Sequence, residues 1–222
     1  MKYQILNKNY EQINHPITGL PVKLFRIIAM KDFAATGMNG SEITIKENEI
    51  GGLVTAKFEN NEWICSGLSQ TDSSWIRHSA KLFDNAVLKD SIIQDDARIF
   101  GTCRIQNSTC SGKSRVWNTA LISNCHLRDN VDVHDSSTVT NSLLFNASKV
   151  EGNSNVSDCE LRTGSRIFNS KVSWSKLFDQ SEVIGSNVDN CILKGRTVVS
   201  NSTLKDEVRE ETIELRVETN AS

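Results

Sequence analysis

The sequence predicts an all-β fold: a single-stranded, three-sided parallel β-helix running from about Ser74 to about Leu204. Three observations point to it. A five-residue unit recurs every five or six residues, its positions carry fixed residue classes, and every third copy returns after 16 or 17 residues. A helix, with its 3.6 period, cannot carry such a pattern.

The unit reads small residue, any residue, aliphatic residue, any residue, then Asp, Asn or Gly. Its first clear copies are Ala80-Lys81-Leu82-Phe83-Asp84 and Ala86-Val87-Leu88-Lys89-Asp90. The aliphatic position recurs to Leu204 with Ala, Ser, Cys or Thr two residues before it, Val131 excepted. Two residues after it stands Asp, Asn or Gly, Thr163 and Trp174 excepted. Aliphatic residues at this period stack inward, the small residue fits where the wall bends, and Asp, Asn and Gly tolerate a left-handed corner.

Spacings of 5, 6 and 6 residues give coils of 17 up to Ile167, and spacings of 5, 5 and 6 give coils of 16 beyond it. Three steps per coil make a triangular section with three inward columns. The first face carries Leu82, Ile99, Val116, Val133, Val150, Ile167, Val183 and Val199. The second carries Leu88, Ile105, Ile122, Val139, Val156, Val172, Val188 and Leu204; the third carries Ile93, Cys110, Leu127, Leu144, Leu161, Leu177 and Leu193. About seven coils at ~4.8 Å make a rod roughly 35 Å long.

The flanks lack the repeat. Residues 1–50 read as an N-terminal β cap, with Val22–Asp32 as a buried strand covering the first coil. The helix proper takes 51–204, and 205–222 a C-terminal capping strand or tail, with Thr212–Glu218 alternating polar and apolar.

With 25 basic and 27 acidic residues the net charge is −2, so no field of one sign is available for nucleic acid or an anionic membrane. No basic stretch followed by an apolar run opens the chain, and no run is long enough to cross a bilayer. The expectation is a cytoplasmic protein. Cys125, Cys159 and Cys191 fall at the small position of the third face and Cys110 at its aliphatic position. Buried free thiols in a reducing compartment follow.

Several elements outside the repeat carry a resemblance: Asp32-Phe33, then ENEIGGLV at 47–54, then Leu68-Ser69-Gln70 and Trp75-Ile76. In that order, ahead of a small-x-aliphatic hexad, they resemble the YdcK-like bacterial and phage proteins of the hexapeptide-repeat class. The resemblance implies left-handed coiling. It implies little about activity, since such proteins are labelled transferases by analogy of fold.

Hexapeptide acyltransferases place a general-base histidine beside a loop projecting from the helix. Residues 80–204 leave no room for an insertion, and His78, His126 and His134 fall at outward or corner positions, where solvated side chains are expected. His126 and His134 belong to different faces, which excludes a shared zinc site. Gly51-Gly52 lacks a P-loop signature. Neither a cofactor nor a metal is expected.

The outward positions carry the candidate binding residues. On the first face these are Lys81 and Phe83, Arg98 and Phe100, and Arg115 and Trp117, an aromatic row beside a basic row. Such a strip calls for a cover: the N-terminal segment or a second subunit, or else a ligand whose base or sugar stacks on the rings while Lys and Arg hold phosphate. The third face adds Phe145, Arg162 and Phe178, with Trp174 at the corner beside them, a smaller patch suited to a partner. The expected function is a non-catalytic scaffold acting through flat faces, its first partner another copy of itself. The alternatives are an acyltransferase-like enzyme using acetyl-CoA, or a binder of nucleotides or anionic ligands.

Overall fold

The computed structural model describes all residues except 38, 39, 41, 159, 175, 191, 206, 207, 210–213 and 217–222. At Asn9, Leu204, Lys205, Val208, Arg209 and Glu214–Arg216 it describes the backbone alone. The chain is a parallel β-solenoid of about seven turns, with coil strands of two or three residues collected into three long sheets.

The three inward columns are those read from the period. Leu82 pairs with Ile99, and the register continues through Val116, Val133, Val150, Ile167 and Val183 to Val199. The second and third faces follow the same rule, Leu88 on Ile105 and Ile93 on Cys110. Each column is fully buried along its described length. The corner residues adopt positive φ at every described position from Asp84 to Asn201, and the two exceptions in type comply as well, Thr163 at 54° and Trp174 at 59°. Carboxylates and amides tie the corners vertically: Asp84 Oδ2 accepts the Gly101 amide at 2.9 Å, and Asp135 Oδ2 the Gly152 amide at 3.0 Å.

The small position does more than fit a bend. On the second face the Ser186 amide donates to Ser170 Oγ at 3.0 Å, and the Ser202 amide to Ser186 Oγ at 3.1 Å. The third face repeats this at Ser91 and Ser108. A buried amide that the sheets do not use thereby finds its acceptor one coil back. First-face serines differ, for Ser148, Ser165 and Ser181 have buried Oγ atoms with no protein partner.

The solenoid begins one coil before the visible repeat. Val54 stands on Leu82, Leu68 on Leu88 and Ile76 on Ile93, so residues 50–76 make a first coil with irregular spacing. Gly52 allows it to close, because a Cβ there would fall 2.5 Å from the Ala80 carbonyl oxygen.

The N-terminal cap consists of three hairpins. β1 (Tyr3–Asn14) and β2 (Pro21–Ala29) pair antiparallel, and β2 pairs antiparallel with β5 (Ile50–Val54), extending the first-face sheet. β3 (Phe33–Thr36) pairs with β4 (Glu42–Ile45), and β6 (Lys57–Glu59) with β7 (Glu62–Ile64). At the far end Glu214–Arg216 pairs parallel with Val198–Ser200 and prolongs the first sheet. The other residues of the expected Thr212–Glu218 strand lie outside the described ones. No helix among the described residues is long and apolar enough to cross a membrane.

Cys65, Cys103, Cys110 and Cys125 are free thiols; Cys159 and Cys191 lie outside the described residues. Burial pushes the Cys103 and Cys125 thiols up to about 12, and Cys110 higher still.

Two measurements check these assignments. Ser170→Ala removes the acceptor of a buried amide and is expected to cost about 1–3 kcal/mol. Ser165→Ala discards an unpartnered hydroxyl and leaves stability unchanged or slightly raised; equal melting temperatures for the two variants would refute the ladder. A thiol reagent at mildly alkaline pH should leave Cys103, Cys110 and Cys125 unmodified until denaturant is added, because only the thiolate reacts.

Candidate functional site

Parallel in-register strands place like positions directly above one another, so outward residues form rows one coil apart. On the first face four rings make one continuous stack. Phe83 lies 4.9 Å from Phe100 at 6° between planes, Phe100 5.8 Å from Trp117 at 10°, and Trp117 4.4 Å from His134 at 26°.

The rings do point away from the core, but the chain covers them itself. Phe83 and Phe100 are 1% and 2% exposed and form a second apolar cluster with Leu24 and Leu53, joined by Ile13, Val22 and Trp117. His15, at the tip of the β1–β2 hairpin, sets its ring edge against both phenylalanines at 5.7 Å. Its Nδ1 accepts the Ile17 and Thr18 amides at 3.2 Å, which leaves Nε2–H to donate to Asp84 Oδ2 at 3.0 Å. Lys81 is drawn into the same cover, donating to Ser79 O at 3.1 Å and lying 3.6 Å from Glu11 Oε2. Phe83 and Phe100 are therefore not open to a second subunit or a ligand. Of the three covers the sequence allowed, the structure has the N-terminal segment.

Further along this face the row becomes polar and stays buried. His134, expected in solvent, is 9% exposed, with Nε2 3.2 Å from Glu151 Oε2. Its Nδ1 lies 2.9 Å from Asp135 Oδ2 without the alignment of a hydrogen bond. Outward placement did not bring solvation, because Trp117 and Glu151 on adjacent coils sandwich the ring. Glu151 also receives Lys149 at 2.5 Å and Arg166 Nε at 2.5 Å, and Arg166 covers the Phe168 ring at 5.6 Å. Burial raises the Glu151 pKa, but the hydrogen bonds from Lys149 and Arg166 outweigh it and hold the carboxyl below its usual range.

Beside the covered rings runs an open groove of about 470 Å³, lined by Asp96, Arg98, Lys113, Arg115 and Asn130. Arg115 pairs with Asp132 Oδ2 at 2.7 Å, and Asp132 Oδ1 accepts Trp117 Nε1–H at 2.9 Å. Arg98 and Lys113 have no carboxylate within pairing distance among the described residues. No aromatic ring lines this groove, so the basic row does not combine with the aromatic one into a stacking site.

The third-face residues come together as expected in position. The Arg162 guanidinium lies between two rings, 5.8 Å from Phe145 and 5.9 Å from Phe178, and pairs with Glu160, which also meets Lys176 at 3.6 Å. His126 sets its edge against Phe145 at 5.9 Å; burial, then Arg128, keeps its imidazole below the usual pKa. Trp174 is 67% exposed at its left-handed corner and makes no ring contact among the described residues.

Sequence reasoning placed a cap at residues 1–50 but not its hairpins or the residues they leave exposed. Of the ten exposed large hydrophobics, only Leu121 and Trp174 lie in the regular rod; the other eight fall between Met1 and Ile64. Nothing periodic marks them. No protein-family model and no curated protein matches this chain.

Glu151 gives the site a pH signature. Its folded pKa is depressed, so its contribution to stability is present above the ordinary carboxyl value of about 4.5 and is lost as pH falls through the folded value. Thermal melts from pH 7 to pH 3 should steepen below about 4.5 for the native chain, and Glu151→Gln should flatten that segment. Identical pH profiles for the two proteins would remove Glu151 from the account.

Proposed function

We propose that the chain is a non-catalytic β-helical scaffold that engages a partner through the third face of its rod, the first partner being a second copy of itself. Trp174 carries this reading. Its corner otherwise takes Asp, Asn or Gly; a tryptophan there holds φ at 59° and leaves most of its surface in water. The left-handed backbone costs a non-glycine residue roughly 1–2 kcal/mol, and among the described residues the exposed ring makes no ring contact to offset it. Next to it stand Phe145 and Phe178, both half-buried, around Arg162. Aromatics with a central arginine, ringed by Glu160 and Lys176 of opposite sign, are the composition of a self-complementary protein contact.

Two observations weigh against an acetyl-CoA-dependent acyltransferase. His15 has both ring nitrogens hydrogen-bonded, and His134 is buried with Nε2 against Glu151, while His126 is packed against Phe145. A second reading, an anionic ligand on the first face, draws support from the unpaired Arg98 and Lys113 in their groove. Kinship with the YdcK-like proteins, and with it left-handed coiling, is also proposed. In its favour, the elements that carry the resemblance form one connected structure: Phe33 opens β3, the Gly-Gly run is β5, and Leu68 and Ile76 complete the first coil.

Light scattering decides the main reading. The native chain should run as a dimer at micromolar concentration, and the Trp174→Ser, Phe178→Ser double variant as a monomer with an unaltered far-UV circular-dichroism spectrum, since neither residue belongs to an inward column. A monomeric native chain, or a variant of unchanged mass, overturns it. Stabilisation by phosphate that disappears in Arg98→Ala, Lys113→Ala would favour the second reading instead.

A further inference from the structure

The cap contains a groove that neither the scaffold reading nor the rod uses, and its walls are chemically unlike any face of the rod. It has a volume of about 370 Å³ and lies between the outer side of β1 and the β6–β7 hairpin. We infer that this groove binds a neutral saccharide, a mono- or disaccharide or the end of a longer glycan.

The hairpin supplies the platform. Asn60 and Asn61, at φ 50° and 63°, form the two-residue turn whose twist matches its strands. That turn sets Phe58 directly opposite Trp63, with ring centroids 5.6 Å apart. Trp63 is backed by Phe25 at 5.1 Å, so it cannot swing away from its place. Phe58 is 59% exposed, and every residue of β6 faces solvent. Only Trp63 ties this hairpin to the core, and a two-stranded hairpin would not persist alone in water. An aromatic pair held rigidly on such a support is spent on surface recognition.

The opposite wall supplies hydrogen bonding. Gln4 and Asn7 on β1, with Asn61 and Glu62 on the hairpin, line the groove and are exposed. Each side-chain amide offers a donor and an acceptor in one plane, and the carboxylate offers acceptors only. That set matches adjacent hydroxyls of a sugar ring, while the rings receive its apolar C–H face. The lining contains no Lys or Arg, which disfavours phosphate and nucleotides, and Glu62 disfavours acidic sugars. A lipid or a wholly apolar ligand would bury those amides without partners, at a cost of about 1–3 kcal/mol each. The volume lies within the usual range for small-ligand sites.

The test uses the full chain and four neutral probes: maltose, cellobiose, lactose and N,N′-diacetylchitobiose, followed by saturation-transfer NMR and tryptophan fluorescence. At least one should bind, with sialyllactose weaker than lactose if lactose is the binder. Phe58→Ala should weaken binding tenfold or more while the melting temperature stays put, because Phe58 is no part of either apolar cluster. Asn61→Gly, which keeps the turn geometry, should weaken it as well. A panel with no binder at roughly 10 mM, a range where even weak sites fill, overturns the inference. So does binding that Phe58→Ala leaves intact, or signal only from an extended apolar peptide added along β1.

Discussion

Every coil of this molecule must be superimposable on the next. Strands of two or three residues have no stability of their own, and their backbone groups find partners only on the coils before and after. That single requirement sets the sign of φ at the corners, including at Thr163 and Trp174, where the residue type opposes it. It also determines what the interior accepts. A residue in an inward column meets its own successors above and below, so β-branched side chains with one preferred rotamer recur. A small residue with a hydroxyl recurs where an amide of the next coil needs an acceptor. Cys125 replaces serine in that ladder, and its own amide still donates to Ser108 Oγ at 3.0 Å.

The same requirement governs the outer surface. Whatever stands at one outward position faces its equivalent about 4.8 Å away on the next coil. Like charges in such a row repel, so rows survive by alternation or by stacking. Arg115 meets Asp132, Asn118 donates to Asp135 at 2.9 Å, and Asn124 to Asn141 at 3.0 Å. Phe83, Phe100, Trp117 and His134 take the other solution and stack. The departures are the Lys81, Arg98, Arg115 row, where Glu11 and Asp132 meet the outer two, and Lys149 beside Arg166, which share Glu151.

Repetition is also why the rod could be read from its residues. Each coil states the same pattern again, so the columns at Val116, Val133 and Val150 need no knowledge of the rest of the chain. The cap offers no such redundancy. Ile13, His15 and Leu24 cover Phe83 and Phe100 from some 60 to 90 positions away, and no local period connects them. The first coil falls inside the 51–204 span but its columns could not be read, since Val54, Leu68 and Ile76 are separated by 14 and 8 residues, not by 5 or 6. His134 was correctly placed on the outside, yet outward is not solvated when Trp117 and Glu151 occupy the neighbouring coils. At the candidate site, then, the pattern revealed direction and row, and the need for a cover, but not which of the possible covers the chain uses.

The open N-terminal end explains why a cap of this complexity is present. A parallel stack exposes unpaired backbone at its first coil, and the cap satisfies these groups with individual devices. Lys2 Nζ donates to Ser74 O at 3.0 Å, and the Thr36 amide to Ser73 O at 3.1 Å. The cap then has an edge of its own along β1. The Gln70 side chain occupies part of it like a short strand, accepting the Tyr3 amide at 3.1 Å and donating to the Tyr3 carbonyl at 2.9 Å. A register shift between Leu6 and Tyr10 disrupts the remainder. Such one-off solutions are possible only where the sequence does not repeat. A wall bound to repetition can present one chemistry many times along a row. The cap, free of that restriction, can bring unlike groups such as Phe58, Trp63, Gln4 and Asn61 to a single groove. Specific recognition of a small ligand needs unlike groups converging on one point, and in this fold the non-repeating end is where the chain can assemble them.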